Sequence, residues 1–379
     1  MLRAVLLTLG LLVGFTTHTW AEENLVKNGD FKQAGANWEI PATNDDQEVA
    51  VVDLDGAKAL QLKRKKEGAT PTVVQYNLKL KPQTLYRLSL TGKGDITGYI
   101  SLCPQSSKDA DFLKIYKAWA VSSGSIAPSK TPSTESVLFD SGTGPDSAFL
   151  KLGLFDRDKA PGSYFITSVA LTEIGPSKPA DDELVIAHIG DSITITSYLP
   201  FSQRINALLD QRIQKAFPKL KFRQVNAGAD GEYVNELFET KRYEKAIHGQ
   251  CQRVDIAVIR YGANDSHKYK ADEFKKHLAE LCDQLQKDYP GIKIALGDGP
   301  FMYKWDDVNK QYADFWQAER DLATERKYPL AQIYKRFEQA ANFSVYLGEK
   351  DMHPSAAGVH LYADAVFEAL EPLLKERAK

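Results

Sequence analysis

The hydrophobic pattern of the chain changes near residue 176. Before that point, short alternating or β-branched segments are separated by clusters of Gly, Pro, Asp and Ser. A period of two interrupted by turn residues is typical of antiparallel strands. Residues 22–175 are therefore predicted to form an all-β sandwich. The clearest strand segments are Glu48–Val52, Ala59–Leu62, Thr72–Tyr76, Leu85–Leu90 and Phe165–Leu171.

The second half alternates apolar strands with amphipathic helices. The strand segments are Leu184–Ile189, Phe222–Val225, Val254–Ile259 and Ile292–Leu296. One helix is predicted to bury Phe274, Leu278, Leu281, Cys282 and Leu285, and the closing helix Ala357, Leu361, Ala365, Val366 and Leu373. This alternation predicts an α/β domain over residues 183–379, with a doubly wound parallel sheet covered on both faces. The polar, Pro-rich residues 176–182 are predicted to be a stiff linker.

The N-terminus has the pattern of a secretory signal peptide. Arg3 precedes the apolar run Ala4–Phe15, and Thr19-Trp20-Ala21 places small residues before a cleavage site after Ala21. The apolar run is too short to span a bilayer comfortably, and no later stretch approaches that length. We therefore expect residues 1–21 to be removed and the mature chain to be secreted or periplasmic, without a membrane span.

Composition excludes some partners. The chain has 48 basic and 50 acidic residues and a formal net charge of −2, so it carries no electrostatic footprint for nucleic acid or an anionic membrane. Its 379 residues allow two domains with full-sized cores. Neither a zinc-type ligand spacing nor an Asp-rich calcium loop is present, so we expect no metal and no cofactor.

The three cysteines leave two alternatives open. Cys251 precedes a predicted strand and Cys282 lies near the end of the following helix, so both fall towards the N-terminal edge of the sheet. In an exported protein a disulfide between them is geometrically possible, and buried free thiols are the alternative. Cys103 is unpaired in either case.

Candidate catalytic residues follow the strands of the second half. Gly190-Asp191-Ser192 ends the first apolar strand, where a glycine permits the tight turn that exposes a serine. Gly231 and Asn264 each follow a later strand, so three segments converge on one edge of the sheet. Taken alone, Gly231 fits an ordinary turn glycine, and Asn264 fits a helix-capping residue. Turns alone do not explain why these segments converge with a hydroxyl on one sheet edge, where catalytic groups collect.

A histidine near the C-terminus is the candidate general base. Of seven histidines, His353 alone precedes a Pro-Ser that opens a helix, so its loop can direct the ring towards the sheet edge. Ser355 is predicted to cap that helix. His188 lies within a strand and is predicted to be a core residue.

Taken in order, four segments resemble the blocks of the SGNH hydrolases, the GDSL-type esterase superfamily. They are Gly190-Asp191-Ser192, Asn226–Gly231, Gly262–Asp265 and Asp351–Pro354, and the resemblance covers about half the chain, from Leu184 onwards. It implies a flavodoxin-like fold with Ser192 as nucleophile and His353 as base. It also implies an oxyanion hole formed by the backbone N–H groups of Ser192 and Gly231 and the side-chain amide of Asn264.

The acid departs from the usual pattern of that superfamily. The family usually places it three residues before the histidine, where this chain has Lys350, and the available carboxylate is Asp351. Some members resemble a Ser-His dyad oriented by a backbone carbonyl. Others use an Asp-x-His spacing, including exported polysaccharide O-acetyltransferases. We expect Asp351 to complete a triad, with the dyad as the alternative.

The start of the sandwich carries a second resemblance. Asn24–Phe31, followed by Trp38, is similar to the opening of carbohydrate-binding jelly rolls of the galactose-binding-like type. The match is more specific to the fold than to sugar binding. Trp38 and Tyr76 are able to stack on sugar rings, but a position in the sandwich core is the commoner case for such aromatics.

These observations favour an exported carbohydrate esterase that removes acetyl or other short acyl groups from a polysaccharide or oligosaccharide. Transfer of the acyl group to a sugar hydroxyl is one alternative, and a glycan-binding protein with a weak or inactive hydrolase domain is another. Residues after strand ends are candidate substrate contacts, although Tyr303 and Trp305 fit a cover over the sheet edge equally well. The candidates are Tyr198, Tyr261, His267, Tyr303 and Trp305.

Overall fold

The computed structural model of the chain describes residues 23–104, 123–143, 147–155, 159–302, 304–348 and 351–378. The predicted signal peptide, Tyr303 and Lys350 lie outside these residues. Within them, antiparallel strands occupy the first half of the chain, and a parallel sheet with helices occupies the second.

The N-terminal half is built from two antiparallel sheets in the part of the chain that the structure describes. One has the strand order β1-β2-β9-β4-β7 and the other β3-β8-β5-β6. Alternate residues of β4 are buried, as expected for a strand with one face on a core. This arrangement is consistent with the predicted β-sandwich. The strands are β1 Gln47–Leu54, β2 Ala57–Arg64, β3 Thr72–Lys79, β4 Thr84–Gly94, β5 Gly98–Pro104, β6 Ser123–Ile126, β7 Ser129–Asp140, β8 Ser147–Leu154 and β9 Gly162–Pro176.

Trp38 belongs to the core of this sandwich. Its side chain is buried, its ring packs against the fully buried Phe31 with 5.7 Å between ring centroids, and its indole N–H donates to the carbonyl of Asn28. Tyr76 is half-buried beside Phe149. Trp38 therefore fills the core and offers no free ring face for a sugar.

The C-terminal half is the predicted doubly wound parallel sheet. Its strands have the order β11-β10-β12-β13-β14, and all neighbouring pairs are parallel. The chain leaves β10 for β11 on one side and then crosses to β12 on the other, so the topological switch point lies at the C-terminal end of β10. Open α/β sheets bind ligands at such a point. The strands are β10 Glu183–Gly190, β11 Lys221–Asn226, β12 Ile256–Arg260, β13 Lys293–Gly297 and β14 Leu330–Ala331.

Helices cover both faces of this sheet. They are α1 Ser192–Ile195, α2 Ile205–Ala216, α3 Glu236–Glu239, α4 Ala271–Asp288, α5 Asp306–Arg326, α6 Ile333–Glu338, α7 Phe343–Tyr346 and α8 Ala356–Arg377, with a π-helical turn at Tyr243–His248. In the part of the chain that the structure describes, no helix combines the length and the hydropathy of a transmembrane span.

The structure confirms one of the two predicted buried helix faces in full and the other only in part. Helix α4 buries all five predicted residues. In α8 the prediction was only partly right, because Ala365 and Val366 are buried whereas Ala357, Leu361 and Leu373 are half-buried. Apolar residues lie all around α8, so spacing alone does not select the face that packs on the sheet. The buried residues missed by the prediction are Gly358, Val359, Tyr362, Ala363, Ala369, Leu370 and Leu374.

The cysteines take the free-thiol alternative. Cys103, Cys251 and Cys282 are all buried and unbridged. Burial raises the pKa of the Cys251 and Cys282 thiols to about 12. Buried thiols of this kind are unreactive, so these side chains act as small apolar groups in the core.

Candidate active site

Ser192 lies at the switch point of the sheet. It is the first residue of α1, directly after β10, and only 9% of its surface is exposed. The side chain of Asp191 caps this helix by accepting the N–H of Ile193 at 3.0 Å, and Asp191 is itself buried in an ion pair with Arg260. The first N–H of a helix has no intrahelical acceptor, so Ser192 presents both a hydroxyl and a backbone donor.

His353 and Asp351 form a hydrogen-bonded chain with this serine. His353 Nε2 lies 3.0 Å from Ser192 Oγ, and His353 Nδ1 lies 3.0 Å from Asp351 Oδ1. The same carboxylate oxygen accepts the backbone N–H of His353 at 2.9 Å. Both side-chain contacts have hydrogen-bond lengths, and the carboxylate occupies the position that a backbone carbonyl would take in a dyad. This geometry supports the triad alternative.

The loop that carries His353 is fixed where it joins α8. Ser355 occupies the N-cap of α8, as predicted, and its hydroxyl accepts the N–H of Gly358 at 3.1 Å. The Ser355 hydroxyl also donates to the carbonyl of Val345. The side chain of His353 is 20% exposed and that of Asp351 is 49% exposed. The base is therefore partly sheltered, whereas its acid partner faces water.

Asn264 and Gly231 lie at the ends of the two strands beside β10. The Asn264 amide nitrogen donates one N–H to the carbonyl of Glu232 at 3.0 Å, which orients the amide and leaves its second N–H for a ligand. Asn264 precedes the short 3₁₀ turn Asp265–His267, but its side chain makes no capping bond. Gly231 has a left-handed φ of +69°, which favours glycine.

A buried ion pair supports these two loops. The fully buried carboxylate of Glu232 accepts hydrogen bonds from Arg242 and, at 2.7 Å, from the hydroxyl of Tyr261. Arg242 also donates to the carbonyl of Ala227, which lies in the segment that leads to Gly231. A buried pair is stable only when its remaining groups are bonded, and losing one partner is costly. This pair was not predicted, because its only signal in the sequence is two charged residues near a predicted turn.

Asp265 links the two loops that carry Gly231 and Asn264. Its two carboxyl oxygens accept the N–H groups of Val234 at 2.9 Å and Gly262 at 3.0 Å. Burial raises the pKa of Asp265 to about 7, against the lowering effect of these two backbone donors. The carboxyl thus links the segment after Gly231 to the segment before Asn264.

The four predicted substrate contacts that the structure describes lie in different surroundings, and Tyr303 is outside the described residues. Tyr261 was wrongly predicted as a contact, because it is fully buried beneath the site and bonded to Glu232. Tyr198 lies against the ring of His353, and its hydroxyl donates to the carbonyl of Pro354 at 2.9 Å. His267 is exposed beside Tyr312, whereas the half-buried Trp305 packs on the domain core.

His188 lies in the core of the domain. His188 is fully buried within β10, with Nε2 2.6 Å from Gln224 Oε1, and burial lowers its pKa to about 4. It is therefore neutral and belongs to the core, as predicted. In the described ranges, no group of three or more His, Cys, Asp or Glu side chains is arranged to hold a metal ion.

Comparison with known protein families gives a match in the C-terminal half of the chain. Residues 188–361 match the GDSL-like lipase/acylhydrolase family. The C-terminal domain belongs to this family. The matched range contains Ser192, Gly231, Asn264 and His353, so the family assignment covers every block on which the sequence resemblance rested. The domain is accordingly a hydrolase of the esterase type. Among curated proteins, none matches the chain.

Solved structures align with the same half. A structure described as a GDSL-like lipase from Parabacteroides merdae is 22% identical and aligns over 51% of this chain and 98% of its own, with a TM-score of 0.44. A lipase/acylhydrolase from Enterococcus faecalis is 18% identical over 50% and 96%, with a TM-score of 0.43. An acetylxylan esterase from Geobacillus stearothermophilus is 21% identical over 49% and 94%, with a TM-score of 0.41.

Replacing Asn264 tests its predicted role in the oxyanion hole. Asn264→Ala is expected to lower kcat for ester hydrolysis by roughly a hundredfold or more with little change in KM, because a donor to the oxyanion acts mainly in the transition state. The matched control is Ser266→Ala, which removes a hydroxyl bonded to Ala263 in the same turn. A rise in KM alone in Asn264→Ala would instead identify a ground-state substrate contact.

Gly231 allows a similar test with an internal control. At both Gly231 and Gly56 the φ angle is left-handed, and an added Cβ would meet no atom within 4 Å. Each Gly→Ala change should therefore cost about 1–2 kcal/mol of folding free energy through backbone strain. Only Gly231→Ala is expected to lower kcat, by about tenfold, since it displaces a predicted oxyanion donor. Equal kcat values for the two variants would remove Gly231 from the oxyanion hole.

Proposed function

We propose that the chain is an exported serine esterase that removes acetyl or other short acyl groups from a polysaccharide or oligosaccharide through an acyl-enzyme. The observation that carries the proposal is the continuous hydrogen-bonded chain from Asp351 through His353 to Ser192. It stands at the end of β10, beside the loops that hold Gly231 and Asn264. Esterase chemistry needs a nucleophile, a base and oxyanion donors, and this edge of the sheet offers residues for each role.

In the first half-reaction Ser192 Oγ attacks the ester carbonyl carbon while His353 Nε2 takes the hydroxyl proton. The N–H groups of Ser192 and Gly231 and the amide of Asn264 bind the oxyanion of the tetrahedral intermediate. Asp351 stabilises the imidazolium through Nδ1. The bond from the carbonyl carbon to the sugar oxygen then breaks, and that oxygen takes the proton from His353.

In the second half-reaction water attacks the carbonyl carbon of the acyl-enzyme. His353 takes a proton from the water, and the intermediate collapses with cleavage of the bond to Ser192 Oγ. The serine regains its proton from His353, and the carboxylic acid leaves. The same residues therefore serve both steps, and no group outside this set is required.

Export and the sugar substrate are supported by the N-terminal half. The pattern of residues 1–21 supports secretion, and Asn24–Phe31 with Trp38 supports a jelly roll of a type found in carbohydrate-binding domains. The carboxylate contact to His353 favours an active enzyme over a glycan-binding protein with a weak hydrolase domain. The test is acetate release from a panel of acetylated glycans, with a soluble aryl acetate as control. Hydrolysis of the aryl acetate without release from any glycan would confine the proposal to small esters.

Acyl transfer is the second candidate, and one observation favours it. The Asp-x-His spacing of Asp351 and His353 is shared with exported polysaccharide O-acetyltransferases, and in this chain that spacing does bring the carboxylate to the ring. The two reactions differ only in whether water or a sugar hydroxyl resolves the acyl-enzyme. An aryl acetate donor incubated with an unacetylated oligosaccharide separates them, since a transferase yields acetylated oligosaccharide and an esterase yields free acetate.

A further inference from the structure

One segment joins the sandwich to the catalytic residues. Residues 197–204, here the bridging segment, follow α1 and include the short 3₁₀ turn Phe201–Gln203 before α2. The segment belongs to the C-terminal domain by sequence. Its side chains nevertheless contact the sandwich, the His353 loop and the loop before Gly231.

Phe201 anchors the bridging segment in the sandwich. Its ring is buried, with 4% of its surface exposed, among the core residues of the N-terminal half. A Cβ at Gly124 in β6 would lie 2.5 Å from a carbon of this ring, so the glycine makes room for it. The buried Arg204 guanidinium lies 4.5 Å from the ring centroid and donates to the carbonyls of Leu199 and Ser197. Arg204 thus ties the backbone at Ser197 and Leu199 to the Phe201 anchor.

Polar contacts add to this anchor. The hydroxyl of Ser125 in β6 donates to the carbonyl of Tyr198 at 3.1 Å, and Ser125 is buried. The N–H and hydroxyl of Ser202 both donate to the carboxylate of Glu135 in β7, at 2.9 and 2.8 Å. Two sandwich strands therefore hold the bridging segment on either side of Phe201.

The other side of the bridging segment contacts the candidate active site. The Tyr198 hydroxyl donates to the carbonyl of Pro354, and its ring stands edge-on to His353 at a centroid distance of 5.3 Å and an angle of 75°. The Ser197 hydroxyl donates to the carboxylate of Asp230, the residue before Gly231. Tyr198 thus fixes the peptide that follows the base, and Ser197 contacts the loop of a predicted oxyanion donor.

We propose that Tyr198 is a positioning residue for His353, and that the sandwich holds Tyr198 in place through Phe201 and Ser125. The sandwich is then part of the catalytic architecture, whether or not it binds sugar. This inference rests on the proposed function, because it assigns Tyr198 to the positioning of the base. A displacement of about 1 Å in a catalytic group lowers a rate by up to a hundredfold, so a contact that fixes the His353 loop has a measurable effect on turnover.

The kinetic test uses a soluble aryl acetate, which needs no glycan-binding surface. Tyr198→Phe keeps the ring but loses the bond to Pro354, and should lower kcat by roughly tenfold with KM unchanged. Ser125→Ala should lower kcat in the same direction by a smaller factor, and Phe201→Ala by a larger one, partly restored in Phe201→Leu. The matched control is Phe31→Ala, which removes another buried aromatic ring from the same core but none from the bridging segment.

Amide hydrogen exchange tests the same link without relying on turnover. In Tyr198→Phe and Phe201→Ala, exchange should quicken at residues 351–358, whereas Phe31→Ala should leave that loop as in the wild type. If the wild type hydrolyses no ester, the proposed function fails while the exchange data still decide the link. Wild-type kcat together with unchanged exchange in Tyr198→Phe and Ser125→Ala would overturn the inference. A higher KM with unchanged kcat in Tyr198→Phe would also overturn it, by making Tyr198 a substrate contact.

Discussion

Ser192→Ala is expected to abolish acyl release from every ester that the wild type cleaves, with kcat lower by about four to six orders of magnitude. The reason is that the hydroxyl is the proposed nucleophile and lies 3.0 Å from His353 Nε2. The measurement is the initial rate of acetate release from an aryl acetate, compared with the rate in buffer. The residual rate should reflect only substrate binding and the oxyanion donors.

Folding should survive this change. Alanine is a good helix former, and the cap of α1 comes from Asp191, so the turn loses none of its own bonds. The thermal unfolding midpoint of Ser192→Ala should therefore remain close to that of the wild type. Turnover at the wild-type rate in a folded Ser192→Ala protein would contradict the assignment of the nucleophile.

Asp351→Ala is expected to lower kcat by about two to three orders of magnitude. Replacing the buried triad Asp by Asn, which leaves the histidine in the wrong tautomer, costs about 10⁴-fold in a serine protease. The expected loss is smaller here, because 49% of the Asp351 side chain is exposed and water is able to replace part of its effect on the imidazolium. The measurement is kcat for an aryl acetate on the plateau of the wild-type pH–rate profile.

Asp351→Asn separates orientation from charge. One oxygen of Asp351 accepts both the backbone N–H and the ring N–H of His353. In the asparagine variant only the amide oxygen is able to accept the backbone N–H, so this bond favours the orientation in which that oxygen also faces the ring. The asparagine variant should therefore lose the charge but keep the tautomer, and be faster than Asp351→Ala. Lys350→Ala is the control and should have little effect. If both Asp351 variants turned over at the wild-type rate while His353→Ala was inactive, the site would be a dyad.

The sequence predicted those elements whose burial produces a clear hydrophobic pattern along the chain. The run Leu184–Ile189 predicted β10 to within one residue at each end, because a strand buried on both faces is continuously apolar. Strand β7 was missed because it lies at the edge of its sheet and begins with polar residues, most of them exposed or half-buried. Edge strands carry such residues as protection against pairing with other chains. Strand β14, with two residues, is too short to have a period.

In the candidate site, too, residues marked by a local sequence pattern were predicted, and contacts between distant residues were not. Ser192, Gly231 and Asn264 were predicted to meet because each follows a strand of one parallel sheet. Hydrogen bonds from Ala229 to Gly190 and from Asn264 to Glu232 join their segments. The contact of Tyr198 with Pro354 joins residues 156 positions apart, so no local pattern signals it. The burial of Glu232 with Arg242 likewise depends on packing, which charge patterns in the sequence do not report. Asp351 was predicted to be the acid of a triad, with a Ser-His dyad as the alternative. The 3.0 Å distance between Asp351 Oδ1 and His353 Nδ1 favours the triad.

The most direct test of the central claim is covalent labelling by a fluorophosphonate ester, followed by peptide mapping. Such a reagent reacts with a serine activated by a neighbouring base and needs no knowledge of the natural substrate. We predict an adduct on the peptide that contains Ser192, absent from Ser192→Ala and strongly slowed in His353→Ala. An adduct on a different residue, or no adduct under conditions in which the protein cleaves an aryl acetate, would contradict the account.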